Sequence, residues 1–164
     1  MESIKNGFFE EKPTKDILLE NIPRLPQEPY TLINDFLTAI PFVVLVLASN
    51  KIALKLFFKI GSIAYLIRLI SMTFIKVPKP DQFCVAKPFP TYHFCMDAGI
   101  SGHTIFCLLP LLILLKFNLI NIFEIIILTG IYFLHEYLKL ATRHHYTIDC
   151  LVAVILVNVL ILVF

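Results

Sequence analysis

Charge is what this chain has least of. Only 16% of its residues are Asp, Glu, Lys or Arg, against 58% that are hydrophobic. A soluble domain of 164 residues could not hide that much apolar surface, because small domains have the least favourable ratio of surface to volume. Lipid is therefore the expected solvent for most of these side chains. A net charge of +2 with no clustered basic patch gives no argument for nucleic acid, and none is expected as a partner. No cleavable leader is expected, since residues 1–28 are polar, charged and proline-bearing. The first apolar run would then serve as the targeting signal. The four cysteines, Cys84, Cys95, Cys107 and Cys150, fit no zinc spacing, and no metal or cofactor is expected. Cys107 and Cys150 fall in apolar runs and read as packing residues, whereas Cys84 and Cys95 share a polar loop and would be able to pair in an oxidising lumen.

What is present is a polar tail followed by apolar runs. Residues 1–31 alternate acidic and basic groups, and Pro13, Pro23, Pro26 and Pro29 block a long helix there. Residues 32–164 form one membrane domain. Its runs extend over about Ile33–Ser49, Ile52–Ile75, His103 to beyond Lys116, Ile122–Leu138 and Ile148–Phe164. A spanning helix needs about 20 residues, with roughly 17 as the lower bound. The runs lack the alternation of a barrel, and an open sheet would leave backbone groups unsatisfied in lipid. The expected fold is all-α, a polytopic transmembrane helical bundle of about five spans. Lys51, Lys55, Lys59 and Lys116 mark the turns on one side and place it in the cytosol by the positive-inside rule. The opposite side also carries Lys76, Lys79, Lys87, Lys139 and Arg143.

Two polar clusters stand out. Cys95-Met96-Asp97 and Ser101-Gly102-His103-Thr104 open the third run, and Arg143-His144-His145-Tyr146-Thr147-Ile148-Asp149 opens the fifth. His103 and His145 are 42 residues apart, room for two spans and a turn, so both should sit at one membrane face. His145 and Asp149 are four apart and share a helix face, where a carboxylate can accept the imidazole Nδ1–H and leave Nε2 as nucleophile or base. His144 lacks such a partner. Backbone N–H groups after Ser101 can hold a phosphate, Gly102 allows close approach, and His103 is then placed to protonate a leaving oxygen. A lone histidine at a span boundary is more often an interfacial anchor. Two clusters on one face make a functional site the better reading. His135, Glu136 and Lys139 read as an interfacial polar cap in preference to groups that tune the site. His93 has no assigned role.

These motifs resemble the sphingomyelin synthase family, within the type 2 phosphatidic acid phosphatase superfamily. Its Cys-Gly-Asp and Ser-Gly-His-Thr signature is similar to Cys95-Met96-Asp97 and Ser101-Gly102-His103-Thr104, and its His-Tyr-Thr-x-Asp signature to His145-Tyr146-Thr147-Ile148-Asp149. Tyr65-Leu66-Ile67-Arg68 and the stretch from Val77-Pro78 to Cys84 resemble the family's third span and following loop. The resemblance runs from about Pro29 onward. It implies a lipid-phosphatase-like core and a catalytic triad of His103, His145 and Asp149. Asp97, Ser101, Gly102, Arg68, Arg143 and Tyr146 would bind phosphate or substrate, with snorkelling or interface anchoring as the rival roles of the two arginines. Met96 departs from the family's glycine, the loop between Cys84 and Cys95 is shorter, and five runs stand where the family has six spans. The first family helix would be lost, or the sequence would start late.

The implied reaction moves a head group such as phosphocholine from a phospholipid donor to ceramide, diacylglycerol or a related lipid alcohol. A lipid phosphate phosphatase with water as acceptor, and an inactive membrane homologue, are the competing readings. The resemblance implies a multi-pass protein of the Golgi, endoplasmic reticulum or plasma membrane with a luminal or extracellular active face. A homo-oligomer is left open.

Overall fold

The computed structural model describes residues 15–74 and 99–164. Cys84, His93, Cys95, Met96 and Asp97 lie outside the described residues, and with them the suggested cysteine pair and one candidate phosphate ligand. The described residues form six helices: α1 Ile17–Asn21, α2 Tyr30–Leu47, α3 Lys51–Phe74, α4 Gly102–Lys116, α5 Ile122–Ala141 and α6 Thr147–Val163. No strand occurs among them. Helices α2 to α6 follow the five apolar runs, with ends shifted by a few residues.

Local chemistry sets these boundaries. Asn50 caps α3 by accepting from Ile52 and Ala53 N–H, both at 3.0 Å. Asn121 and Glu124 close a reciprocal capping box on α5. Ser101 caps α4, its Oγ accepting from Thr104 N–H at 3.3 Å. Ser49, Asn118 and Arg143 take positive φ angles of 52°, 50° and 61° just past the ends of α2, α4 and α5. A left-handed residue there reverses the chain, and a non-glycine residue accepts about 1–2 kcal/mol of strain to do so.

Helix α4 is the axle of the bundle. It is apolar on all sides and packs against α2, α3, α5 and α6, as a helix without a polar face should. Ile105, Leu109, Ile113 and Leu114 on it have no exposed surface, and Leu45, Ile60, Ala64, Ala153 and Val157 close around them. Phe42, Phe57 and Phe106 add a tilted aromatic cluster, with centroids 5.0 to 6.0 Å apart. By length and composition α2 is able to cross a membrane, whereas α4 and α6 are apolar but shorter, at 15 and 17 residues.

The two ends of the bundle differ. At one, Lys116 Nζ donates to the Ile161 carbonyl at 3.0 Å and Lys59 lies 4.2 Å above the Phe164 ring. The other gathers the starts of α2, α4 and α6 and the ends of α3 and α5, and it carries the polar clusters. The tail meets the bundle here. Asp16 caps α1 and also accepts from Thr147, from its N–H at 2.6 Å and its hydroxyl at 3.0 Å. Leu25 N–H donates to Ala141 C=O at 2.9 Å, and Leu19 is buried beside Tyr146. Partial burial raises the Asp16 pKa, but the hydrogen bonds from Thr147, Leu18 and Leu19 outweigh it and hold the carboxyl below its ordinary value of 3.8.

Candidate active site

The α5–α6 link places the second motif. The positive φ at Arg143 turns the chain back within a few residues, and α6 begins at Thr147. His145 and Asp149 are 6% and 7% exposed. The imidazole Nδ1 lies 3.3 Å from Asp149 Oδ2, and the same oxygen accepts from Tyr146 N–H at 3.1 Å. The carboxylate orients the ring and fixes the proton on Nδ1, which leaves Nε2 as the unprotonated nitrogen.

His144 is directed elsewhere. Thr142 Oγ1 donates to the Leu138 carbonyl, so the 2.7 Å contact to His144 Nδ1 has the imidazole as donor. Arg143 is turned to the tail and to α5: its Nη2 donates to Ile22 C=O at 2.9 Å and its Nη1 to Leu140 C=O at 3.3 Å. Tyr146 is buried and immediately precedes α6.

The first motif faces an open cleft of about 370 Å³, lined by residues that include Asp35, Tyr65, Arg68, Gly102, His103 and Phe106. His103 stands half exposed at its edge, with Nε2 3.1 Å from Asp35 Oδ1. Tyr65 donates its hydroxyl to Gly102 C=O at 3.1 Å, and Arg68 Nε donates to Ile100 C=O at 3.0 Å. Gly102 eases the close approach of Arg68 here. A Cβ at that position would come within 3.1 Å of Arg68 Nε and 3.3 Å of Cζ, so a larger residue would push the guanidinium a few tenths of an ångström away from the α4 N-terminus. The positive helix end, the guanidinium and His103 thus border one volume.

Ser101 joins the two motifs. Its backbone N–H donates to the Asp149 carbonyl at 3.2 Å, which ties the residue before Gly102 and His103 to the helix that carries Asp149. The starts of α4 and α6 therefore meet at one end of the bundle.

Sequence reasoning passed over three groups. Asp35 is a lone carboxylate inside an apolar run, and an ionisable group within a span is itself a signal of function. Tyr65 stands out in the sequence only as part of the stretch Tyr65-Leu66-Ile67-Arg68. Lys139, read as an interfacial cap, is fully buried, and so is His135. The reason is contact with α4 and α2: Lys139 Nζ donates to Ser101 Oγ and Thr104 Oγ1 as well as to Glu136. Thr38 gives its one hydroxyl proton to Asn34 C=O, so His135 donates Nδ1–H to Thr38 Oγ1 at 3.1 Å. His135 Nε2 lies 3.6 Å from Glu136 Oε1, and the His103 and His135 rings are 6.3 Å apart.

Known proteins give two points of comparison. No curated protein matches the chain. The solved structure of LpxE from Aquifex aeolicus superposes with a TM-score of 0.63 at 17% identity, covering 95% of this chain and 98% of that one. Residues 94–164, which hold both histidine motifs, match the family described as PAP2 superfamily C-terminal, on an all-helical chain that shares the LpxE fold.

Proposed function

We propose that the chain is a membrane phosphotransferase that moves a phospholipid head group, phosphocholine or an analogue, to ceramide or a related lipid alcohol. One observation carries the reading: a buried His145–Asp149 pair is tied through Ser101 to a cleft bordered by His103 and Arg68. The match of residues 94–164 to the PAP2 superfamily supports a phosphoester as the bond acted on. Apolar side chains such as Leu32, Phe36, Phe133 and Ile155 stand exposed on the outer helix faces, which supports a multi-pass chain solvated by lipid.

In this reading the donor phosphate rests at the α4 N-terminus against Arg68. His145 Nε2 forms a bond to phosphorus, and the P–O bond to diacylglycerol breaks. Asp149 holds the imidazolium that results. His103 gives the leaving oxygen its proton. The acceptor hydroxyl then returns that proton to His103 as its oxygen displaces His145 from phosphorus. Atoms and charges balance, and no further reactant is needed. Asp35, accepting from Nε2 of His103, keeps a proton on that nitrogen before the lipid arrives.

Hydrolysis is the second reading, and the half exposure of His103 at an open cleft favours it, because water reaches that ring. The test uses purified protein in mixed micelles with head-group-labelled phosphatidylcholine and ceramide. Labelled sphingolipid from wild type, lost in His145→Ala and in His103→Ala, supports transfer. Labelled phosphocholine or inorganic phosphate instead would replace transfer with hydrolysis. Equal signals from all three proteins would refute the triad.

A further inference from the structure

Among the described residues, Lys139 is the most unusual charge. It is fully buried in α5 at the polar end of the bundle, and its partners are Glu136 on the same helix and Ser101 and Thr104 at the start of α4. A buried ammonium costs several kcal/mol unless it is paired and hydrogen-bonded. Here all three of its protons are placed. Nζ lies 2.8 Å from Glu136 Oε2, one turn earlier on the same helix. It donates to Ser101 Oγ, the cap of α4, at 3.1 Å and to Thr104 Oγ1 on the first turn of that helix.

The consequence falls on Ser101. Its Oγ accepts from Thr104 N–H and from Lys139 Nζ, which uses both lone pairs. The hydroxyl can then act only as a donor, and its oxygen is held in place from two helices. The same residue's backbone N–H reaches Asp149 C=O. One ammonium therefore fixes the residue through which α4, with His103, is joined to α6, with Asp149. An apolar side chain of similar length would fill the space at lower cost.

We infer that Lys139, held by Glu136, is a positioning residue that sets the alignment of His103 and His145 by locking Ser101. It touches no reacting atom. The inference rests on the phosphotransfer reading for its kinetic arm alone, and its spectroscopic arm is independent of any substrate.

The test compares wild type, Lys139→Met/Glu136→Gln and Ser101→Ala. The double change removes the buried ammonium together with its partner carboxylate, so no orphaned charge is left to unfold the protein. Ser101→Ala removes the hydroxyl that Lys139 holds, while the ion pair with Glu136 and the bond to Thr104 Oγ1 stay. Lys116→Met, at the opposite end of the bundle, is the control. Each protein is labelled with ¹⁵N in its histidine rings, and signals are assigned with His103→Ala and His145→Ala. The inference predicts that the His103 and His145 ring signals move in the double variant, that the His103 signal moves in Ser101→Ala, and that neither moves in the control. With head-group-labelled phosphatidylcholine and ceramide, kcat in the double variant falls about 10²-fold with KM unchanged, the size expected from a misalignment near 1 Å. Unmoved histidine signals in both Ser101→Ala and the double variant would overturn the inference, as would a rise in KM with kcat intact. If wild type turns over no lipid, the phosphotransfer reading fails, and the ring signals still decide the role of Lys139.

Discussion

Asp149→Asn isolates the chemistry of the pair from its architecture. Asp149 Oδ2 lies 3.3 Å from His145 Nδ1 and accepts from Tyr146 N–H at 3.1 Å. An asparagine keeps a carbonyl for one of them. If that carbonyl stays on Tyr146 N–H, the amide NH₂ faces Nδ1 and drives the ring proton to Nε2, the nitrogen needed as nucleophile. If it turns to Nδ1, the Tyr146 N–H loses its acceptor. In either case the imidazolium formed on attack loses its buried counter-charge. A hydrogen bond to a charged group contributes about 1.5–3 kcal/mol, or roughly 10¹–10² in rate. Where the tautomer is also inverted, as in serine-protease triads, the loss reaches about 10⁴. The 3.3 Å separation is long for a charge-assisted bond. The expected fall in kcat is therefore about 10²–10⁴. Stability should change by no more than about 1 kcal/mol, because the side chain is isosteric and one contact survives. The assay pairs initial rates of labelled head-group transfer with thermal unfolding followed by helical circular dichroism. Activity within tenfold of wild type, with His145→Ala inactive, would refute the argument that Asp149 sets the tautomer.

The remaining predictions concern the cleft and the tail. Gly102→Ala should displace Arg68, since the new methyl would meet Nε at 3.1 Å; kcat/KM should fall about tenfold with little loss of stability, and unchanged kinetics would remove Arg68 from the phosphate site. Asp35→Asn takes the carboxylate from His103 Nε2 and should lower kcat by about 10-fold or more while leaving the His145 ring signal in place. The depressed Asp16 carboxyl should stabilise the docked tail at neutral pH. That contribution is complete above its unfolded value of 3.8 and is lost as pH falls through the lower folded value. Hydrogen exchange at the Thr147 amide should therefore be protected at neutral pH and lose protection in acid, whereas Asp16→Asn should be weakly protected throughout.

The helices were legible because each long apolar run had one physical solution. The runs near Ile33, Ile52, His103, Ile122 and Ile148 correspond to α2 to α6. Helix α1 was not legible. Its five residues are too few to hold a helix alone, and it exists through the contacts of Asp16, Leu19 and Leu25 with α5 and α6, which no local pattern encodes. The His145–Asp149 contact followed from an i, i+4 spacing, a local rule. Asp35 with His103 spans 68 residues and Lys139 with Ser101 spans 38. Those contacts depend on how whole helices pack, so the sequence displayed the charges without their partners. Lys139 shows the difference most plainly. At a span end a lysine normally snorkels to water, and only the approach of α4 turns it inward.

The central claim is that His145 attacks a lipid phosphorus. Wild type, His103→Ala and His145→Ala are each mixed with a phospholipid labelled in its head-group phosphate, quenched in alkali, where a phosphorus–nitrogen bond survives, and digested. The account predicts label on the peptide that contains His145 in wild type and none in His145→Ala. Equal labelling of those two proteins, or head-group transfer by wild type with label on no peptide, would contradict it.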